Sequence, residues 1–255
     1  LRQDGAMSSG MSPANAVLVV AVFGLLGGSA VSQRARTGLA WFGVPVLCAF
    51  SLKRMHSGFD LVQELTFYAS YHADWRNQLV HVVFVPLLVF TAMVFLAYVP
   101  PLSRATPLGL PLNWATLAAL AWSAHHCKCD PLVGLFTSLV TFGSALAATA
   151  IVQSELPPSP RAKAKTKGLP VARYGRAARW AGALHVLSWY MQLHPGHAIF
   201  EGRKAALLDA LIQSFMDGPL FIWMEVAFRL GYAPALRVQL GSAVAAQHAA
   251  WALAS

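Results

Sequence analysis

The most strongly apolar long segment of this chain is Gln78–Val99, QLVHVVFVPLLVFTAMVFLAYV. It has the length and apolar composition of a membrane-spanning helix, which needs about 20 residues, and such a helix tolerates Pro86 as a kink. The whole chain of 255 residues is 56% hydrophobic and only 11% charged, against about 25% charged in an ordinary soluble domain. The sequence therefore predicts an all-α, polytopic bundle of membrane helices and excludes a disordered chain.

Further segments are apolar enough to join this bundle. Pro131–Gln153 is rich in small residues, which allow close helix packing in a membrane, and Asn15–Val31 is also long enough to cross. The shorter runs, which cross if the bundle is thin or partly re-entrant, are Gly38–Leu52, Trp114–His126, Ala177–Leu193 and Pro219–Leu230. Ser57–His72 alternates apolar and polar residues, which predicts an amphipathic helix at the membrane interface.

Composition divides the chain into three parts. Residues 1–56 are expected to form an N-terminal extension with one or two membrane helices, residues 57–237 the core bundle, and residues 238–255 a C-terminal tail helix. Within the core, residues 154–179 contain seven Lys or Arg and one acid, which predicts a flexible basic linker. The net charge of +9 lies between apolar segments, so it fits anionic lipid headgroups rather than nucleic acid.

The nine histidines are the candidate chemical groups, because ionisable residues in membrane segments are costly and mark functional sites by default. If the segments cross the membrane in turn, one membrane face holds His72, His81, His125, His126, His194 and His197. We interpret His185 separately, as a histidine packed within the bundle.

The first histidine cluster is Tyr71–His81, YHADWRNQLVH. His72 and His81 are nine residues apart, about 2.5 helical turns, so on one straight helix they would point to opposite faces. Asp74 and Asn77 are good N-caps directly before the apolar run. A turn between a helix that ends near His72 and a helix that starts near Asn77 would aim both imidazoles at one point.

The second cluster is Trp189–Glu201, WYMQLHPGHAIFE. Pro195 disfavours helical conformation at His194 and suits the first turn of a new helix. His197 and Glu201 then lie four residues apart on one face. Glu201 is therefore either a metal ligand or the acceptor that fixes a histidine tautomer.

A third group, His125–Asp130 (HHCKCD), does not predict a dedicated zinc site, because Cys-x-Cys is shorter than the usual spacing of zinc ligands. One of its histidines could still join the main cluster. Several histidines with one carboxylate suit Fe(II), Zn(II), Mn(II) or Cu(II), and spacing alone does not choose among these ions. A site of this kind at a membrane surface suits an oxidative or hydrolytic reaction on a lipid.

The two clusters together resemble the 2-hydroxy fatty acid dioxygenases, the family of the fungal 2-hydroxypalmitate enzyme of phytosphingosine catabolism. The resemblance extends over about Phe59 to Arg237. It departs from the family at Asp74-Trp75, which replace Asn-Pro, at His194-Pro195, where the motif is one residue longer, and at Ala205, which replaces Pro. The positions that match the two motifs are Tyr68, His72, Asn77, His81, Trp189, Gln192, Gly196, His197, Phe200, Glu201, Arg203, Ala206, Leu207 and Asp209.

The resemblance implies an Fe(II)-dependent enzyme of fatty acid α-oxidation, which uses O2 to shorten a 2-hydroxy fatty acid by one carbon. It implies His72, His81 and His197 as iron ligands, with His194 or Glu201 as a further ligand and Glu201 among the catalytic residues. The substrate would chelate the iron through its carboxylate and 2-hydroxyl group, with Arg76 or Arg203 as a candidate to steer the carboxylate. The endoplasmic reticulum is the membrane that the resemblance implies.

A different class of protein is the alternative. The N-terminal extension, the start at Leu1 and the altered second motif also fit a non-catalytic accessory subunit, which keeps the family fold within a larger membrane complex of a mitochondrion or plastid. Its partners would be other membrane subunits. Pigment binding by the histidines is a third alternative.

Overall fold

The computed structural model describes residues 44–45, 48–49, 60–99, 112–155 and 175–254. The predicted segments Asn15–Val31 and Gly38–Leu52 and the predicted linker 154–179 lie wholly or mostly outside the described residues. Within the described ranges the chain is helical and contains no strand, which confirms the predicted all-α class.

Seven α-helices are described over their full length. In chain order they are α1 (Leu61–Ser70), α2 (Trp75–Ala97), α3 (Trp114–Cys129), α4 (Pro131–Ser154), α5 (Arg176–Met191), α6 (Leu211–Arg229) and α7 (Pro234–Ala254). A π-helical segment, Gln192–Glu201, continues directly from α5, and a 3₁₀ turn, Ala206–Leu208, precedes α6.

Short polar side chains start the helices that frame the bundle. The Asp74 carboxylate caps α2 by accepting a hydrogen bond from the backbone N–H of Arg76 (2.8 Å). Asp130 caps α4 in the same way, from the N–H groups of Leu132 (3.0 Å) and Val133 (2.8 Å). Such caps satisfy N–H groups that have no partner within the helix. The predicted turn before α2 is confirmed, with Asp74 as its cap.

Helix α2 lies at the centre of the bundle, because it packs against α4, α5, α6 and the π-helical segment. Helices α3 and α4 pack along each other as a hairpin, and α1 packs against α6 and α7. Buried apolar side chains form two clusters, one around Phe95 and Trp122 and the other around Leu65 and Phe221.

The segment Ser57–His72, predicted to be an amphipathic helix, is helical over Leu61–Ser70. Its place at a membrane interface stays a prediction.

Two of the described helices, α2 with 23 residues and α4 with 24, are long and apolar enough to cross a membrane. Both present large apolar side chains outward: Leu79 and Val83 of α2 and Leu135 and Leu139 of α4 are more than half exposed. Helices α3 and α5 have 16 residues each, short of the about 20 that a crossing needs. Their crossings stay predictions.

Gly134 sets the distance between α3 and α4. A Cβ atom at this position would lie 2.2 Å from the carbonyl oxygen of His126, so that one of the two backbones would have to move. We expect Gly134→Ala to lower the free energy of unfolding by about 2 kcal/mol, as overpacking does. Gly143→Ala, on the same helix with nothing within 4 Å, is the matched control and should be neutral or slightly stabilising. Denaturation of both variants in detergent tests this, and equal midpoints would contradict it.

Candidate metal centre

Three histidines from three separate segments meet in the interior. His72 comes from the turn after α1, His81 from the second turn of α2, and His197 from the π-helical segment. Their ring centroids are 4.5 to 5.0 Å apart and their planes are steeply inclined to one another. One ring nitrogen of each lies within 4.8 Å of the others, and all three side chains are buried. This is an arrangement that one metal ion can bridge.

Backbone carbonyls orient two of these imidazoles. His72 donates from Nδ1 to the carbonyl oxygen of Tyr68 (2.7 Å), and His81 donates from Nδ1 to that of Asn77 (2.9 Å). A carbonyl only accepts, so Nδ1 carries the hydrogen and Nε2 keeps the lone pair that binds a metal. The Tyr68 ring also stacks on His72, with centroids 3.9 Å apart.

His197 shows that the cluster fits a metal ion. Its Nδ1 atom is buried, and it has no hydrogen-bond partner among the residues that the structure describes. It is one of six such buried side-chain atoms in the described residues, and an imidazole nitrogen with no hydrogen-bond partner is open to a metal ion. Burial also lowers the pKa of His197 to about 4, and burial together with the neighbouring imidazoles holds the pKa of His72 well below its usual range. Both rings are therefore neutral at physiological pH, which is the form that binds a metal.

Glu201 connects the second cluster to the first. Its carboxylate accepts hydrogen bonds from the backbone N–H groups of Ala73 and Asp74 (2.9 Å each) and from the side-chain amide of Asn77 (3.2 Å). The structure thus brings Glu201 to the turn between His72 and His81, and it is outside the group of possible metal ligands. Its hydrogen bonds join the π-helical segment to that turn.

His194 lies apart from the cluster. Its ring is exposed and stacks on Tyr190, with centroids 5.3 Å apart. The structure therefore does not bring it together with the other three histidines. Arg76 is also engaged elsewhere, since its guanidinium pairs with the Asp74 carboxylate at 2.7 Å.

The expected helix break at Pro195 is wrong. The chain keeps winding from α5 through a π-helical segment that contains this proline. A π-helix bonds residue i to i+5 and accommodates an extra residue per turn, which explains how the longer motif still presents His197 inward while His194 turns outward.

Gly196 lies close against the side chains of α2. A Cβ atom there would lie 2.7 Å from Asn77 Oδ1 and 3.5 Å from His81 Cε1. We expect Gly196→Ala to push the segment away and to lower metal affinity about tenfold, in the range of changes next to metal ligands. Gly182→Ala on α5, where nothing lies within 4 Å, is the control and should leave metal affinity unchanged. Metal titration of both variants checks this, and equal affinities would contradict it.

An apolar cavity borders the three imidazoles, a feature that the sequence did not predict. It follows α2 from His81 to Phe95, a rise of about 21 Å at 1.5 Å per residue. Its other walls come from α1, α3, α5 and α6. His185 lines it as the packed histidine expected, because Trp189 donates to its Nε2 (3.1 Å) and its Nδ1 lies 2.7 Å from Thr91 Oγ1.

A second cluster of ligand-type side chains joins α3 to α6. His125, Cys129 and Asp217 each offer an atom within 4.8 Å of the others, and all three are buried. Asp217 was missed from the sequence because nothing local connects it with the HHCKCD segment. His126 instead bonds through Nε2 to the carbonyl oxygen of Met216 (2.8 Å).

The fold and the first cluster define a helical protein with a candidate metal centre beside an apolar cavity. The family model described as "2-hydroxy-palmitic acid dioxygenase Mpo1-like" matches residues 59–230. The chain therefore belongs to the Mpo1-like family, which confirms the resemblance predicted from the sequence.

A curated relative supports this membership. The chain is 26% identical over 181 residues, 71% of this chain and 87% of the relative, to the protein named "2-hydroxy-palmitic acid dioxygenase MPO1" of Saccharomyces cerevisiae. No solved structure matches the chain.

Proposed function

We propose that this protein is an Fe(II)-dependent membrane dioxygenase that shortens 2-hydroxy fatty acids by one carbon with O2. The observation that carries the proposal is the convergence of His72, His81 and His197 beside an apolar cavity in a chain of the Mpo1-like family. The proposed location is the membrane of the endoplasmic reticulum, because the family resemblance implies it. Helices α2 and α4 would be the helices that cross this membrane.

The three imidazoles would hold the iron through one nitrogen each. Bound there, Fe(II) would supply positions for O2 and for the carboxylate and 2-hydroxyl oxygens of the substrate. Tyr68 and Asn77 would keep His72 and His81 in the tautomer that presents Nε2. Glu201 would hold the turn between these two histidines in place. His194 is left out of the proposed ligand set because it stacks on Tyr190.

The cavity would receive the alkyl chain of the substrate. The lining residues extend along α2 from His81 to Phe95, so the alkyl chain would run from the imidazoles into the bundle. Apolar side chains such as Val85, Leu88 and Val89 line this path, so that they exclude water and stabilise the chain by burial.

The overall reaction balances without an external reductant. R–CH(OH)–COOH and O2 contain the same atoms as R–COOH, CO2 and H2O. The C1–C2 bond breaks, and the electrons lost by both carbons reduce O2 completely. O2 is therefore the only co-reactant required.

The test is an assay of the full chain, purified in detergent and loaded with Fe(II). We expect 2-hydroxypalmitate to yield the fifteen-carbon acid with uptake of one O2 per molecule, and palmitate, which lacks the 2-hydroxyl group, to remain unchanged. Metal-loaded protein with no turnover would overturn the proposal. Protein that binds no iron and co-purifies with other membrane subunits would favour the accessory subunit instead.

A further inference from the structure

The second cluster has features of a metal site rather than of an ordinary ion pair. The same imidazole nitrogen, Nε2 of His125, faces both Asp217 Oδ1 at 2.5 Å and Cys129 Sγ at 3.7 Å. A single N–H group points along one direction and serves one acceptor well. Three donor atoms that converge on a common point are what a metal ion requires.

Two helices, α3 and α6, supply the three donor side chains. His125 and Cys129 are four residues apart on α3, so they lie on one face of that helix. Asp217 faces them from α6 and is fully buried at 0% exposure, while His125 is at 2% and Cys129 at 9%. The site therefore joins two helices in the interior of the bundle.

The donor set suits a divalent ion of the zinc class. Thiolate, imidazole and carboxylate are the three ligand types that Zn²⁺ takes in proteins. The negative charges of one thiolate and one carboxylate together neutralise one divalent cation, so the loaded site is neutral. The separation of 3.7 Å between Sγ and Nε2 is close to the about 3.6 Å expected for these two atoms on a tetrahedral zinc ion.

The carboxylate is the ligand that must adjust. Asp217 Oδ1 and His125 Nε2 are at hydrogen-bond distance, 2.5 Å, whereas two such ligands on a tetrahedral ion lie about 3.3 Å apart. Metal ligands of these types bind in their deprotonated forms, so metal binding at this site would release protons.

We propose that His125, Cys129 and Asp217 form a second metal site, which binds a zinc-class divalent ion and shares no ligand with the three-histidine cluster. It ties α3 to α6, and α6 supplies Ser214, Phe215 and Pro219 to the wall of the apolar cavity. A metal ion there would hold α6 in place beside the cavity, and the three protein ligands would leave its fourth position open. This second site stands independently of the function proposed above.

Cobalt substitution of the full chain in detergent tests the site, because Co²⁺ bound to a thiolate shows sulfur-to-metal charge transfer in the near ultraviolet. The three-histidine cluster contains no sulfur and cannot produce this band. We expect the metal-depleted wild type to develop the band on titration with Co²⁺, and Cys129→Ser to lose it. Cys127→Ser is the matched control, since Cys127 lies outside the cluster with its Sγ 3.5 Å from Ser138 Oγ, and it should keep the band.

Two further variants separate this site from the first. His81→Ala should keep the charge-transfer band and lose one equivalent of bound metal, because it changes only the three-histidine cluster. Asp217→Asn should weaken the cobalt binding that produces this band at least tenfold. A chelator should lower the Tm of the wild type and of Cys127→Ser by more than that of Cys129→Ser, which has only the metal of the three-histidine cluster to lose. A wild type without the band, or a Cys129→Ser variant with the full band, would overturn the proposal. Either result is independent of whether 2-hydroxypalmitate is turned over.

Discussion

His81→Ala is expected to abolish iron binding at the three-histidine cluster and to reduce turnover of 2-hydroxypalmitate below detection. His81 is buried, and its Nδ1 donates a hydrogen bond to the carbonyl oxygen of Asn77. Nε2 is therefore the nitrogen of His81 that can bind a metal ion in the cluster. Two neutral imidazoles alone hold a divalent ion weakly, and catalysis that depends on a metal fails without it. Iron content and release of the fifteen-carbon acid are the two measurements.

His194→Ala is the control for this experiment. Its ring is exposed and stacks on Tyr190, so its loss should leave iron content and turnover close to those of the wild type. Wild-type turnover in His81→Ala would refute the proposed site. Loss of iron in His194→Ala would instead restore His194 to the ligand set.

Glu201→Ala should have the second largest effect, although Glu201 touches none of the three imidazoles. The change would remove the acceptor for the N–H groups of Ala73 and Asp74 and for the amide of Asn77. These groups fix the turn that sets His72 against His81. We expect metal affinity to fall about 10- to 100-fold, as for other residues that orient metal ligands, and the free energy of unfolding to fall by about 2 kcal/mol.

Glu155→Ala provides the matched control. Glu155 also joins two segments, since its carboxylate accepts a hydrogen bond from the backbone N–H of Ala177 (2.8 Å) and another from the hydroxyl of Tyr98. Glu155 directly follows α4 and is distant in the sequence from the three histidines. Its loss should reduce stability and leave metal affinity unchanged. Equal metal affinities in Glu201→Ala and Glu155→Ala would show that Glu201 is only a structural contact.

Much of the first histidine cluster, Tyr71–His81, was predictable from the sequence because its interactions are local. Asp74 caps the helix that it directly precedes, and His72 and His81 are bonded to carbonyl groups four residues earlier in the chain. Spacing and capping preferences report such short-range contacts directly. The same holds for α4, whose predicted bounds differ from the observed ones by a single residue.

The position of the second cluster, Trp189–Glu201, depends on how the chain winds and how the helices pack. Pro195 was expected to start a new helix, but the π-helical segment absorbs it and turns His194 outward. Spacing alone does not tell a break from a wider turn. Glu201 was expected to be a metal ligand or to fix a histidine tautomer, and its hydrogen-bond partners are the N–H groups of Ala73 and Asp74 and the side-chain amide of Asn77, more than a hundred residues earlier in the chain.

The sequence alone therefore established the helical class, the apolar segments and the family, because composition, periodicity and motif content are properties of neighbouring residues. Which polar groups meet depends on the tertiary structure, which brings His197 to His72 and His81, and Asp217 to His125 and Cys129. It also formed the cavity, since only the packing of α2 against the other helices leaves that space open. The physical reason is that such contacts join segments distant in the chain, and their geometry is set by how helices pack rather than by local preference.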